Sequence, residues 1–490
     1  MHPLDLAVVV VYLGIIATIG LRQARRVKDA RDYFLAGRSL TWWVIGLSII
    51  GTNIDTNSYM GAAGNAYDVG IAQANFEWIG AIPAMILASL VFIPLYWRAG
   101  VYSIPEYLGL RYRQEVRVIA ALIASLFAVF ALGVAMWALA LTLETYLGWP
   151  IWLGVLVSGS VVGLYSVTGG LAAVAMTDAI QVSIMFACGL IIVFLGISQA
   201  GGLATFADTF TSQHPQHIQA YLPGDHESFP WHGVILGLGF VLSPAYWVGG
   251  QAILQRTLGA RSQWDASASM MFAALAKLFI PLLIVFPGML ALAMQADLAY
   301  PDMVLPWVIK NVLPVGVSGL MFVAIIAALQ SSIDSGINAT ALMITRDIRH
   351  VLIKHHDPDA DLQVGRALTL IILLGAMVVA PFVGQLGSIY TVVQQGLSLF
   401  QGPMLALLLL GALTRWATPK AGLWTLVTGV FVAATLLLGA DVSMLYVAFL
   451  SFCYSLAALL AFSQITTPLP PEQLDQVTYL PLRTRGEVSP

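Results

Sequence analysis

Apolar runs long enough to cross about 30 Å of hydrocarbon recur along the chain near residues 4–21, 40–64, 71–97, 118–147, 150–168, 178–199, 231–254, 268–295, 316–343, 367–385, 389–413, 421–439 and 442–464. Short polar stretches separate them, and the longest, near 200–230, carries "SQHPQHIQ". The pattern predicts an all-α polytopic membrane protein of thirteen transmembrane helices. The first run opens with Asp5 rather than a basic stretch, and no small-residue cleavage site follows it, so it reads as a retained span. The last stretch, 466–490, is Pro-rich and polar and reads as a tail.

Charge fixes the orientation of these spans. Only 10% of the 490 residues are charged and 59% are hydrophobic, whereas soluble domains carry about 25% charged residues. Of the 22 Lys and Arg residues, all but Lys277 and Lys310 follow odd-numbered spans or lie in the tail. With the N-terminus outside, these follow the positive-inside pattern of a plasma (cytoplasmic) membrane protein, and the C-terminus is cytoplasmic. A net charge of −3 gives no basic surplus for nucleic acid. Cys188 and Cys453 lie far apart in apolar runs and read as core residues. His214 and His217 have a metal-like spacing without a third ligand, so a solvated loop is the expected reading.

The span order carries an internal symmetry. Spans two to six and seven to eleven are groups of five that begin with opposite orientation, the arithmetic of an inverted repeat with a transport site at broken helices near the midplane. The chain then divides into an extra N-terminal span and cytoplasmic loop (1–39), a first repeat (40–200), an extracellular loop (201–230), a second repeat (231–414), two C-terminal spans (415–465) and a cytoplasmic tail (466–490). Span two reads "LSIIGTNIDTNSYMGAAGNAYDVG", a Gly- and Asx-rich patch tolerable only where it lines protein or a water-filled cavity. Span seven carries Ser243-Pro244 at the corresponding depth, and a second break is expected there.

Span nine, "IIAALQSSIDSGINATALM", places Gln330, Ser331, Ser332, Asp334, Ser335 and Asn338 where a lipid-facing helix would carry Leu or Val. Glu77, Lys277 and Gln395 lie inside spans three, eight and eleven. A charge near the bilayer centre costs at least about 2.5–3.5 kcal/mol, so such residues pair with one another or line a pathway. No nucleophile–base pair, metal cluster or phosphate loop points to an enzyme.

Several motifs in order, from "DYFLAGRSLTWWVIGLSIIGTNI" through "YSIPEYLGLRY", "YSVTGGLAAVAMTDAIQ", "QAILQRTLGARS" and "VAIIAALQSSIDS" to "TRWATPKAG", resemble the sodium/solute symporter family over nearly the whole chain. That family includes sodium/glucose cotransporters and carriers for proline, pantothenate, sialic acid and sugars. The resemblance implies a LeuT-type five-plus-five inverted repeat and sodium-coupled uptake by alternating access, with Na⁺ as coupling ion and no other cofactor. It assigns the ion to the carbonyls of Gly51, Ile54 and Ala328 and the hydroxyls of Ser331 and Ser332. Carbonyls freed by an unwound helix plus hydroxyls would supply a hard cation with about five oxygens and little fixed charge. The bland alternative is that both serines bond back to the preceding turn of their own helix.

By the same resemblance, Glu77, Lys277 and Gln395 hydrogen-bond sugar hydroxyls, joined by Asn53, Ser58 and Ser243, and Tyr246 with neighbouring Trp247 closes the pocket from inside. Ser58, Gly80 and Ser243 are shorter than the Gln, Ser and Asn that sugar carriers tend to have, which leaves the particular solute open. A neutral sugar or polyol is expected, with a sialic acid, amino acid or carboxylate, or a sensing role, as alternatives. In two-sodium relatives a residue matching Asp178 joins hydroxyls of span nine in a second ion site. Here Asp334 precedes Ser335 where a hydroxyl is usual, so Asp178, Asp334 and Ser335 are expected to hold a second cation or share a proton. Asp55, at another departure, reads as a helix cap or, alternatively, as an ion ligand or a substrate contact.

Overall fold

The computed structural model describes residues 2–54, 61–226, 230–298, 301–353, 358–383, 389–439 and 442–479. Among them the chain is helical without strands, and its only bridges are Leu40 with Ala260 and Leu222 with Pro230. The helices used below are α1 (Pro3–Ala24), α2 (Trp42–Asn53), α3 (Ala62–Val69), α4 (Asn75–Trp78), α5 (Gln114–Leu147), α6 (Ile151–Gln199), α7 (Ser243–Gly249), α8 (Gln251–Leu258), α9 (Gln263–Lys277), α10 (Val317–Met343), α11 (Ile389–Leu413) and α12 (Pro471–Val477).

Ten helical stretches among the described residues are long and apolar enough to cross a membrane. Two predicted runs, 40–64 and 268–295, are divided for a local reason, and two others are joined. In 40–64, α2 ends at Asn53, Ile54 leaves the helix at φ −83°, ψ 83°, and the chain resumes as α3. Residues 55–60, with Asp55 and Ser58, lie outside the described residues. The runs 150–168 and 178–199 are joined in α6, which turns at Gly170, φ 56°. A Cβ on Gly170 would lie 2.3 Å from the Tyr33 carbonyl oxygen, so both the conformation and the close approach require glycine. The run 268–295 divides into α9, Ile280–Ile284 and Phe286–Ala293, because Pro281 and Pro287 have no N–H to continue the preceding turn.

Span seven departs from the sequence reading. The break expected at Ser243-Pro244 is absent: Val234–Leu242 winds as a π-helix into α7, and Ser243 has helical backbone, φ −65°, ψ −54°. The wider π-helical turn before Pro244 accommodates its missing donor, and the chain leaves the helix at Gly250, φ −72°, ψ 107°.

Helix α10 lies at the centre, its apolar window 83% buried against 28% for α1. It packs against α6, α5 and α1, and this enclosure is what lets it carry polar residues at membrane depth. Asp5 on α1 accepts from the backbone N–H groups of Gly316 (2.8 Å) and Gly319 (2.9 Å), placing a carboxylate at the positive end of α10. At the opposite kind of terminus, buried Arg111 donates to the carbonyls of Gly411, Ala417 and Thr414 at 2.7, 2.9 and 3.0 Å and closes the end of α11.

Two segments read as solvated from sequence are packed in part. In the 201–230 loop, Leu203–Ser212 is helical and His217 is buried. In the tail, α12 buries Leu474 and Val477, Tyr107 donates to the Val477 carbonyl at 2.8 Å, and Arg415 meets Asp475 at 2.5 Å. Apolar side chains at a spacing of three explain the docking.

Candidate functional site

The polar face of α10 is answered by side chains and backbone from other helices. Tyr12 donates to Gln330 at 3.0 Å and Gln255 donates to Asn338 at 2.7 Å. Ser331 donates to Asp178 Oδ1 at 2.5 Å, Ser332 reaches the Thr52 carbonyl at 3.2 Å, and the hydroxyls of Ser335 and Thr52 lie 3.0 Å apart. All of these oxygens belong to buried residues except that of Ser332, which is partly exposed and lines a cavity.

Helix α2 ends against this face. A Cβ on Gly51 would lie 3.1 Å from Ser331 Oγ and 2.8 Å from Val182 Cγ2, so these side chains pack directly against the α2 backbone there. The Ser332 hydroxyl is 3.2 Å from both the Thr52 carbonyl, beside the end of α2, and the Ala328 carbonyl, on its own helix. The contact to Ala328 is the backward bond that serines in membrane helices make, and the contact to Thr52 is not. Gly51, Ala328, Ser331 and Ser332 are thus gathered where α2 ends, and Ile54, the first residue out of the helix, is buried. Oxygens converging from two helices with no charge of their own suit a hard monovalent cation.

Asp178, Asp334 and Ser335 do not stand by themselves. Arg256 on α8, fully buried, donates to Ser335 and through Nε to Ser48 at 2.6 Å, and its Nη2 lies 3.3 Å from Asp178 Oδ2. Ser48 donates to Asp178 Oδ2 at 2.5 Å, and Ser335 donates to Asp334 at 3.1 Å. A guanidinium thus sits among the groups expected to hold a second cation or share a proton. Sequence reasoning counted Arg256 as a cytoplasmic loop charge because it follows span seven, and nothing in a charge count tells a buried arginine from a solvated one.

A cavity of about 170 Å³ adjoins the end of α2, lined by Asn53, Glu77, Ser243, Tyr246, Trp247 and Lys277 among others. Lys277, at the end of α9, donates to both Glu77 and Asn53, and its ammonium lies 5.7 Å from the Trp247 ring centroid. Asn53 Nδ2 is 3.5 Å from the Tyr246 hydroxyl, and the Tyr246 and Trp247 rings meet at 88°. Tyr246 also lines a second, largely apolar cavity of about 250 Å³ that reaches Ser332, whereas Trp247 faces only the first. Glu77, Lys277, Asn53, Ser243 and the two aromatics are therefore together, while Ser58 lies outside the described residues.

Gln395 is not with them. It is exposed, and the cavity is lined instead by Gln394, Leu397 and Gln401. Successive helical residues differ by about 100° in direction, and positions i, i+3 and i+7 share a face, so 394, 397 and 401 form one stripe from which 395 is turned away. That spacing is legible in the sequence and would have selected Gln394 and Gln401. His214 and His217 carry no metal cluster among the described residues; His217 Nε2 lies 3.2 Å from the Tyr67 carbonyl.

The profile of the sodium:solute symporter family matches residues 33–429. A sodium/glucose cotransporter from Vibrio parahaemolyticus is 33% identical over 449 residues, covering 86% of this chain and 82% of that protein. Human sodium/glucose cotransporter 4 is 28% identical, covering 98% of this chain and 78% of that protein. Among solved structures, the substrate-bound outward-open state of a Na⁺-coupled sialic acid symporter superposes with a TM-score of 0.87 at 20% identity, covering 95% of this chain and 98% of that one.

Proposed function

The chain belongs to the sodium:solute symporter family, and from that premise we propose that it imports a neutral sugar or polyol by alternating access, driven by Na⁺ bound at Gly51, Ile54, Ala328, Ser331 and Ser332. The observation that carries the solute class is the state of Lys277. Its ammonium is already matched by Glu77 and shared with Asn53, so the cavity holds no unopposed positive charge to attract a carboxylate. Carboxylate, ammonium and amides around an aromatic ring offer donors and acceptors for hydroxyls and a cover for an apolar ring face. The names of the two sodium/glucose cotransporters support the same class.

Sodium bound beside the end of α2 and solute held by Asn53 at that same end share one piece of backbone, which couples ion and solute. At 100 mV one positive charge contributes about 2.3 kcal/mol, and a tenfold gradient adds about 1.4 kcal/mol. One coupled ion therefore supports roughly 500-fold accumulation. Asp178 and Asp334 carry two formal negative charges against the one positive charge of Arg256, so the reading extends to one further positive charge there, a second sodium ion or a proton.

Thirteen spans arranged as a five-plus-five inverted repeat, with the N-terminus outside, the C-terminus cytoplasmic and the domain boundaries given above, complete the reading. Asp5 supports it: α1 and α10 begin on the same side, as the first and ninth of alternating spans must.

Sodium-dependent uptake into proteoliposomes, screened across sugars, polyols, amino acids and carboxylates, tests the proposal. Uptake of a sugar or polyol only with an inward sodium gradient is the expected result, and a carrier selective for a carboxylate or amino acid overturns the solute class. A sodium Hill coefficient near 1, with pH-independent uptake that Asp334→Asn leaves unchanged, overturns the further positive charge.

A further inference from the structure

The walls of the solute cavity are unequal. On one side the charged groups are matched, because Lys277 donates to both Glu77 and Asn53. Two of the residues that line the cavity, Ser243 and Gln401, each hold a buried oxygen, Oγ and Oε1, that no group among the described residues satisfies. Both residues are closed to solvent, at 3% and 5% exposure. A buried polar atom without a partner is costly to keep, and a solute or water entering the cavity can supply the partner.

Gln401 has a second distinction. It lines both this cavity and the apolar one that reaches Ser332, and it shares that position only with Tyr246 and Leu397. These three side chains form the partition between the cavities. Leu397 lies one turn before Gln401 on α11, facing the same way, so Gln401 supplies the only hydrogen-bonding group that α11 brings to the partition.

We infer that Gln401, with Ser243, is a specificity-determining residue: its amide oxygen accepts a hydrogen bond from a substrate hydroxyl at the floor of the cavity. The inference rests on the sugar-or-polyol reading above and adds the group that reads the solute where it must leave. The amide oxygen accepts from a hydroxyl and the amide NH2 can donate to one, a pairing that a bare methylene does not offer. Ser243 can donate or accept and serves either lone pair or proton of a neighbouring hydroxyl.

The test uses the full-length carrier in proteoliposomes with D-glucose, D-galactose and myo-inositol, and with the monodeoxy analogues of whichever is taken up. Gln401→Leu removes the acceptor, and Gln401→Met does so in a side chain of similar length. Both are expected to raise KM for the hydroxylated probe by about tenfold or more. For one deoxy analogue, the one lacking the matched hydroxyl, KM is expected to be the same in wild type and variant. Binding of radioactive sodium without solute should be unchanged, which separates this role from a general loss of structure. Equal KM for wild type and variants on every probe overturns the inference and leaves the sugar-or-polyol reading standing. A wild-type carrier that takes up none of the three probes and is selective for a carboxylate or amino acid overturns both.

Discussion

Arg256 and Asp178 meet at 3.3 Å with both side chains sealed from solvent, at 1% and 0% exposure. One lies on α8 and the other on α6, and Ser48 of α2 and Ser335 of α10 are hydrogen-bonded into the same group. Four helices that meet near the candidate sodium site are thereby held by one guanidinium. Removing one member of a buried pair leaves the other charge unmatched, at a cost of about 3–5 kcal/mol. Arg256→Gln should therefore lower the melting temperature of the purified carrier more than the double variant Asp178→Asn/Arg256→Gln does. Equal losses in the two would mean that the pair contributes nothing beyond packing.

Ser332 is the hydroxyl that reaches the Thr52 carbonyl across to α2. Ser332→Ala should raise the sodium concentration for half-maximal uptake about ten- to a hundredfold, since removing one oxygen from a buried polar set costs about 1–3 kcal/mol. Maximal uptake at saturating sodium should change far less. Unaltered sodium dependence in Ser332→Ala would return this serine to the role of bonding back to Ala328.

Gln394 and Gln395 are adjacent in sequence but differ in surroundings. Gln394→Ala should impair solute uptake and Gln395→Ala should leave it near wild type, because only Gln394 lines the cavity. At the same site, Glu77→Ala/Lys277→Ala should abolish uptake. Wild-type uptake by that double variant would remove the cavity from consideration.

His217 gives the 201–226 segment a pH dependence. Burial pushes its imidazole below the ordinary range, and the contact of Nε2 with the Tyr67 carbonyl only partly offsets this. A folded-state pKa below the unfolded value of about 6.5 means that the folded segment binds fewer protons. Its stability is therefore full above about pH 6.5 and declines as pH falls below that value. Limited proteolysis of the segment should quicken at about pH 5.5 relative to 7.5 in wild type, with a smaller change in His217→Gln. Identical rates at both values in wild type would show that protonation is not felt there.

The helical character, the membrane class and the ending of span two were legible in the sequence because they follow from local causes. A run of apolar residues must bury its backbone polar groups internally, and Gly, Asn and Asp in mid-span mark where the helix can stop. Local rules misplaced the interruption of span seven for the same reason: proline limits the residues beside it, but a π-helical turn can absorb it, and the chain bends at Gly250 instead. Gln395, assigned by resemblance, is exposed, whereas its neighbour Gln394, turned by about 100° around the helix, lines the cavity.

What the sequence by itself determined is the set of polar groups that membrane depth makes expensive: Gln330 to Asn338 on α10, Glu77, Lys277 and the Gly51 to Ile54 stretch. Tertiary structure alone decided how they are satisfied. Arg256 enters among Asp178, Ser48 and Ser335, Lys277 is shared between Glu77 and Asn53, and Ser243 and Gln401, which line a cavity, are left with unmatched oxygens. The cost of burying a polar group depends on its own chemistry and can be read residue by residue. The partner that offsets it comes from another helix, often hundreds of residues away, and only packing brings the two together.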